Sequence, residues 1–245
     1  MPSNKRASAG RWRAALAPLI ALMGCEADDY NAYADAQLAE QESSRILVIG
    51  DSVMWWGLEQ QASVSDGMSQ VLGEPVVNLS VPGARISAPD PQWVAEGLDI
   101  HAQYRSKAWD WVVVEGGAND LAEECRCNAC DGVLDELIAE GGASGEIPDL
   151  VQDARADGAR VVVVGYYAPP LAGGEFAACA DELSVLSSRI ETLANRTGGV
   201  TYVSMAEVVD PSDAGAYDPD LIHPSATSSL AIGRLIAEVI EAEEN

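Results

Sequence analysis

Five short runs of apolar, mostly β-branched residues, separated by stretches with helical periodicity, leave this chain few ways to fold. The runs are Arg45-Ile-Leu-Val-Ile-Gly50, Pro75-Val-Val-Asn-Leu79, Trp109-Asp-Trp-Val-Val-Val-Glu115, Arg160-Val-Val-Val-Val-Gly165 and Gly199-Val-Thr-Tyr-Val-Ser204. The first reads most clearly as a strand buried on both faces, and the other four are similar. Helical spacing covers residues 57–73, 91–106, 131–140, 146–158 and 181–196, and a last helix is expected over 225–243. Strands alternating with helices predict an α/β domain with a parallel sheet covered on both faces. In such a sheet the ligand site lies outside the carboxyl ends of the strands, so chemistry is expected directly after each run.

The segment before the first run is of another kind. Lys5, Arg6, Arg11 and Arg13 precede an apolar stretch from Ala14 to Met23 that stops at Gly24-Cys25, the layout of an export signal over residues 1–24. The apolar stretch is well short of the roughly 20 residues a spanning helix needs, so removal is expected and not a permanent transmembrane anchor. Leu22-Met23-Gly24-Cys25 resembles a bacterial lipobox, which makes Cys25 a candidate for lipidation, with a plain secretory signal as the alternative. Residues 25–44, rich in Ala, Asp, Glu and Gln, read as a flexible tether to be left out of the fold. Residues 45–245 then form one domain, exported to the cell envelope or secreted.

A formal net charge of −25, which deepens by four when the signal's basic residues are removed, repels phosphate backbones and excludes nucleic acid as a partner. It also repels anionic headgroups, so any membrane contact is expected only through the N-terminal lipid. Cys125, Cys127, Cys130 and Cys179 remain in the mature chain, an even number that suggests two disulfides in an oxidising compartment. Their pairing is open, and a four-thiolate zinc site is the alternative. No phosphate-cradling glycine loop is present, so no cofactor and no metal are expected; the oligomeric state is not legible.

The residues after the runs carry chemistry. Gly50-Asp51-Ser52 follows the first and enters a helix, where backbone N–H groups favour a developing negative charge. Gly83 follows the second, and Gly116-Gly117-Ala118-Asn119-Asp120 the third; a glycine exposes its N–H and an Asn amide can donate to the same oxygen. Asp218-Pro-Asp220-Leu-Ile-His223 precedes the last helix, and His223 is one of only two histidines. Asp220, three residues earlier, can hold one imidazole nitrogen and leave the other for Ser52. His101, in an expected amphipathic helix, reads as a packing or surface residue.

These four fragments, in this order and each at a strand's carboxyl end, resemble the SGNH or GDSL hydrolase family across residues 43–243. The resemblance implies a three-layer α/β/α, flavodoxin-like fold with a five-stranded parallel sheet. It also implies that Ser52 is the nucleophile, His223 the general base and then acid, and Asp220 its orienting carboxylate. Ser52 and Gly83 N–H groups with the Asn119 side chain would form the oxyanion hole. Val53-Met54 departs from the Leu common after the serine. Trp55, Trp56 and Asp51 are candidates for the substrate pocket. The expected activity is hydrolysis of short-chain or carbohydrate acyl esters through an acyl-enzyme. A lysophospholipase or thioesterase is the alternative; a non-catalytic envelope lipoprotein and a Cys-based metal or redox protein are the remaining ones.

Overall fold

The computed structural model describes residues 28–245; the expected signal and Cys25 lie outside these residues. Strands β1 (Ile46–Ile49), β2 (Val77–Asn78), β3 (Trp111–Val114), β4 (Arg160–Gly165) and β5 (Val200–Ser204) form one sheet in the order β2-β1-β3-β4-β5. All four pairings are parallel, with Ile46 opposite Trp111, Trp111 opposite Arg160 and Val161 opposite Val200. Every residue of β1 and β3 is buried, as expected of strands covered twice. Pairing in β2 starts only at Val77, because Pro75 has no N–H to give a ladder.

Helices α1 (Asp28–Glu40), α2 (Val64–Leu72), α3 (Glu146–Ala156), α4 (Ala180–Arg196) and α5 (Ala226–Glu244) flank the sheet on both sides. Helix α5 packs along α2, while α3 and α4 lie against β4. The helix expected over 57–73 is interrupted, because Gly57 is left-handed (φ +82°) and the chain restarts at a capping box. There the Ser63 hydroxyl accepts from Asp66 N–H at 3.2 Å and the Asp66 carboxylate accepts from Ser63 N–H at 2.9 Å. The stretch 91–106 likewise splits into turns at Pro91–Ala95 and Ile100–Gln103, around Gly97 at φ +74°.

The tether expected over residues 25–44 is corrected by α1. Tyr30 and Ala34 are buried and Leu38 packs on the core, a stripe at four-residue spacing that anchors an otherwise polar helix. The Tyr30 and Tyr33 hydroxyls donate to the Leu79 and Asn78 carbonyls, each at 3.1 Å, at the end of the edge strand β2. Gly97 makes room for this docking, since a Cβ there would lie 2.5 Å from the Tyr30 ring. The folded body therefore reaches back at least to α1, ahead of Arg45.

Cys125 pairs with Cys130 and Cys127 with Cys179. All four sulfurs are consumed, which removes the four-thiolate zinc reading. The second bond joins the loop after β3 to the turn Glu175–Cys179 that leads into α4.

Candidate active site

Ser52 sits just past the carboxyl end of β1, as the first residue of a single helical turn, Ser52–Trp55. At that position its N–H has no acceptor within the turn. Asp51 caps the turn: its side chain accepts from Val53 N–H at 2.8 Å, and from the Tyr166 hydroxyl at 2.9 Å. Asp51 is 1% exposed, as is Glu115 at the end of β3, whose Oε2 accepts from Asp51 N–H at 3.2 Å. Gly50 permits this approach, since a Cβ there would stand 2.9 Å from Glu115 Oε2. Burial raises the pKa of both carboxyls, and Asp51's charge pushes Glu115 further up; hydrogen bonds from Val53 N–H and the Tyr166 hydroxyl partly restrain Asp51. Beneath them the buried Gln103 amide accepts from Gly50 N–H at 2.9 Å and donates to Gly50 and Gly97 carbonyls. The turn that carries Ser52 is thus fixed from below by a buried polar network.

His223 and Asp220 meet as their spacing predicts. Asp220 Oδ2 lies 2.6 Å from His223 Nδ1, while Oδ1 accepts from Ile222 and His223 N–H at 2.9 and 3.0 Å. Leu221 takes a left-handed φ of +58° to fold the carboxylate back in this way, a cost tolerated where surroundings over-determine the turn. Partial burial pushes the Asp220 carboxyl up, but the bonds from His223 and Ile222 more than offset it, and its pKa is lowered. The loop is held by His223 carbonyl accepting from Asp218 N–H at 2.8 Å and Ile222 carbonyl from the Tyr167 hydroxyl at 2.8 Å.

Trp56 serves the imidazole. Its ring stacks on His223 at 3.8 Å and 4°, and its Nε1 donates to Asp218 at 2.7 Å. Trp55 meets Trp56 edge-on at 6.4 Å. Neither tryptophan is among the residues lining the cleft beside Ser52, against the expectation that one of them forms the pocket. That cleft, of about 140 Å³, holds Ser52, His223, Asn119 and Asp51, with Phe176, Leu183, Leu221 and Ile222 as an apolar wall. His223 Nε2 is buried without a hydrogen-bond partner among the described residues.

Asn119 and Asp120, after β3, clamp the segment after β2. Asn119 Nδ2 donates to the Ala84 carbonyl at 2.9 Å, and Asp120 accepts from Ile86 N–H at 3.0 Å and Ser87 N–H at 3.4 Å. Burial raises the Asp120 pKa to about 6 against the pull of those two N–H groups. Gly83, at φ +80°, is not brought into the cleft beside Ser52; it borders a second cleft that shares Asn119. His101 pairs with Asp153 at 2.9 Å, away from these residues.

The sequence reading missed Tyr166, Tyr167 and Glu115 as supports. Tyr166 and Tyr167 directly follow β4, so the rule that selected Ser52 points to them as well. Nothing in the sequence signals the stacking role of Trp56.

Comparison with known proteins agrees with this fold. No curated protein sequence matches. Among solved structures, a GDSL-like lipase from Bacteroides thetaiotaomicron superimposes with a TM-score of 0.61 at 17% identity, covering 89% of this chain and 100% of its own. A carbohydrate acetylesterase from Sinorhizobium meliloti gives 0.52 at 19%, covering 81% and 98%. A psychrotrophic esterase from a Pseudoalteromonas species gives 0.54 at 17%, covering 82% and 98%. At these identities the likeness is one of fold. The profile of the GDSL-like lipase/acylhydrolase family matches residues 48–228, most of the chain, so the protein belongs to that family of ester hydrolases.

Proposed function

We propose that this ester hydrolase works through Ser52, His223 and Asp220 on short-chain or carbohydrate acyl esters. The observation that carries the reading is the Asp220–His223 pair at 2.6 Å, with the other imidazole nitrogen unpartnered in the cleft that Ser52 lines. The carboxylate fixes one tautomer and stabilises the imidazolium that forms when Nε2 accepts the Ser52 proton. The Ser52 oxygen attacks the ester carbonyl, the oxyanion is met by the Ser52 N–H and the Asn119 amide, which share the cleft, and His223 returns the proton to the departing alcohol. Water, deprotonated by the same imidazole, releases the acid. The Ala84 carbonyl takes one Asn119 proton and leaves the other for the oxyanion.

A small apolar cleft supports short acyl chains over a long lipid tail, and the acetylesterase among the structural relatives fits the same substrate class. A lysophospholipase or thioesterase is the second reading; it calls for a longer apolar channel. We further propose that the protein is exported and held at the membrane by a lipid on Cys25.

The test is fluorophosphonate labelling with peptide mapping, beside a panel of acyl esters of graded chain length. Label on the Ser52 peptide, and loss of both label and hydrolysis in a folded Ser52→Ala variant, are expected. Undiminished hydrolysis in that variant removes Ser52 from the mechanism, and a preference for long acyl chains favours the second reading.

A further inference from the structure

Asn119 lines two clefts and is shared between them. The first holds Ser52 and His223 and is walled by Phe176, Leu183, Leu221 and Ile222, which suits an acyl chain. The second, of about 210 Å³, is lined by Gly83, Arg85, Trp93, Leu98, Asn119 and Glu123 and is of another chemistry. Trp93 is 39% exposed, one of only three large apolar side chains so open among the described residues. The Arg85 guanidinium lies 4.1 Å from the Trp93 ring centre, and Arg85 also pairs with Glu124 at 3.4 Å.

We propose that this second cleft is the alcohol subsite, and that it takes a neutral hydroxylated ring, a sugar, as the leaving group. The proposal rests on the ester hydrolase mechanism above and names its substrate. An open indole offers a flat apolar face to the C–H face of a ring, while the Arg85 guanidinium and the Glu123 carboxylate, both lining the cleft, offer donors and acceptors for ring hydroxyls. The acidic neighbours Glu123 and Glu124 balance Arg85, and the formal net charge of −25 repels anions, so a phosphorylated headgroup or a nucleotide-bearing thiol is disfavoured.

The shelf is preorganised. Arg85 N–H donates to the Leu98 carbonyl at 2.9 Å and its own carbonyl accepts from Ile100 N–H at 2.8 Å. The Trp93 carbonyl accepts from Leu98 N–H at 2.9 Å, and Asp90 caps the turn on which Trp93 stands, accepting from Gln92 N–H at 2.9 Å. Both side chains therefore project from backbone segments tied to one another through Leu98.

The test compares hydrolysis of an acetylated neutral monosaccharide with that of methyl acetate, whose alcohol is too small to reach Trp93. Trp93→Ala should lower kcat/KM on the sugar ester about tenfold, the effect of losing one aromatic anchor, mainly through KM and with methyl acetate unaffected. Trp93→Tyr, which keeps a flat face, should restore most of the loss. Equal losses on both esters, no loss on either, or a wild-type protein that hydrolyses methyl acetate but not the sugar ester would overturn the subsite. A wild-type protein inactive on both esters and unlabelled by fluorophosphonate would overturn the serine mechanism itself.

Discussion

Asn119 shows how much one side chain does here. Its amide nitrogen binds the Ala84 carbonyl, so the residue both registers the segment carrying Gly83 and faces the cleft of Ser52. Asn119→Ala should lower kcat on a simple ester by about two orders of magnitude, as for other lost oxyanion donors. The accompanying loss of stability should be about 1 kcal/mol, the net value of one neutral hydrogen bond. Turnover measured beside denaturant unfolding checks both; full activity would take Asn119 out of the oxyanion hole. The spacing of Asp220 and His223 predicts their contact, because three residues of turn suffice to bring them together. The same kind of reading fails for Trp56, whose partners His223 and Asp218 lie more than 160 positions away and leave no periodic trace.

At the level of elements, the turn after β3 is joined to its neighbours by one carboxylate and one disulfide. Asp120 has its pKa raised from 3.8 to about 6 in the folded protein. A raised carboxyl holds its proton more firmly folded than unfolded, so its contribution to stability is fully present below about pH 4 and lost as pH climbs through 6. In Asp120→Asn that loss disappears, and unfolding measured from pH 4 to 7 should move in the variant's favour by about 3 kcal/mol. A difference independent of pH would contradict this account. The Cys127–Cys179 bond closes 52 residues, worth about 4 kcal/mol in the chain-entropy view. It also pins the turn Glu175–Cys179, which carries Phe176 into the apolar cleft. Reduction, or Cys127→Ser with Cys179→Ser, should raise KM at reductant levels where far-ultraviolet circular dichroism is unchanged; parallel loss of both signals would make the bond a structural clip only. Which cysteines pair was not legible, since spacing along the chain says nothing of how the β3 loop and α4 approach. The five strands were legible because a doubly covered sheet demands uninterrupted apolar runs.

Across the whole molecule the sequence reading errs most at α1. A helix that is polar on most of its surface looks like a tether, and only the spacing of Tyr30, Ala34 and Leu38 distinguishes it. Deleting residues 1–44 should therefore destabilise the domain by several kcal/mol, since Tyr30 alone carries a buried ring and a hydroxyl bonded to the Leu79 carbonyl. It should also promote association through the uncovered end of β2. Unfolding and light scattering of proteins starting at residue 26 and at residue 45 test this; equal behaviour would make α1 an ornament.

The docking of α1 also decides how far the enzyme could roam. With the proposed lipid on Cys25, only three peptide links separate the bilayer from Asp28, the first described residue of α1, a leash of at most about 10 Å. A body this acidic, moored so closely to an anionic surface, would be pushed to the end of that leash while unable to go further. Its catalytic edge would then patrol a thin shell above the lipid, meeting esters of the surrounding envelope and few in free solution.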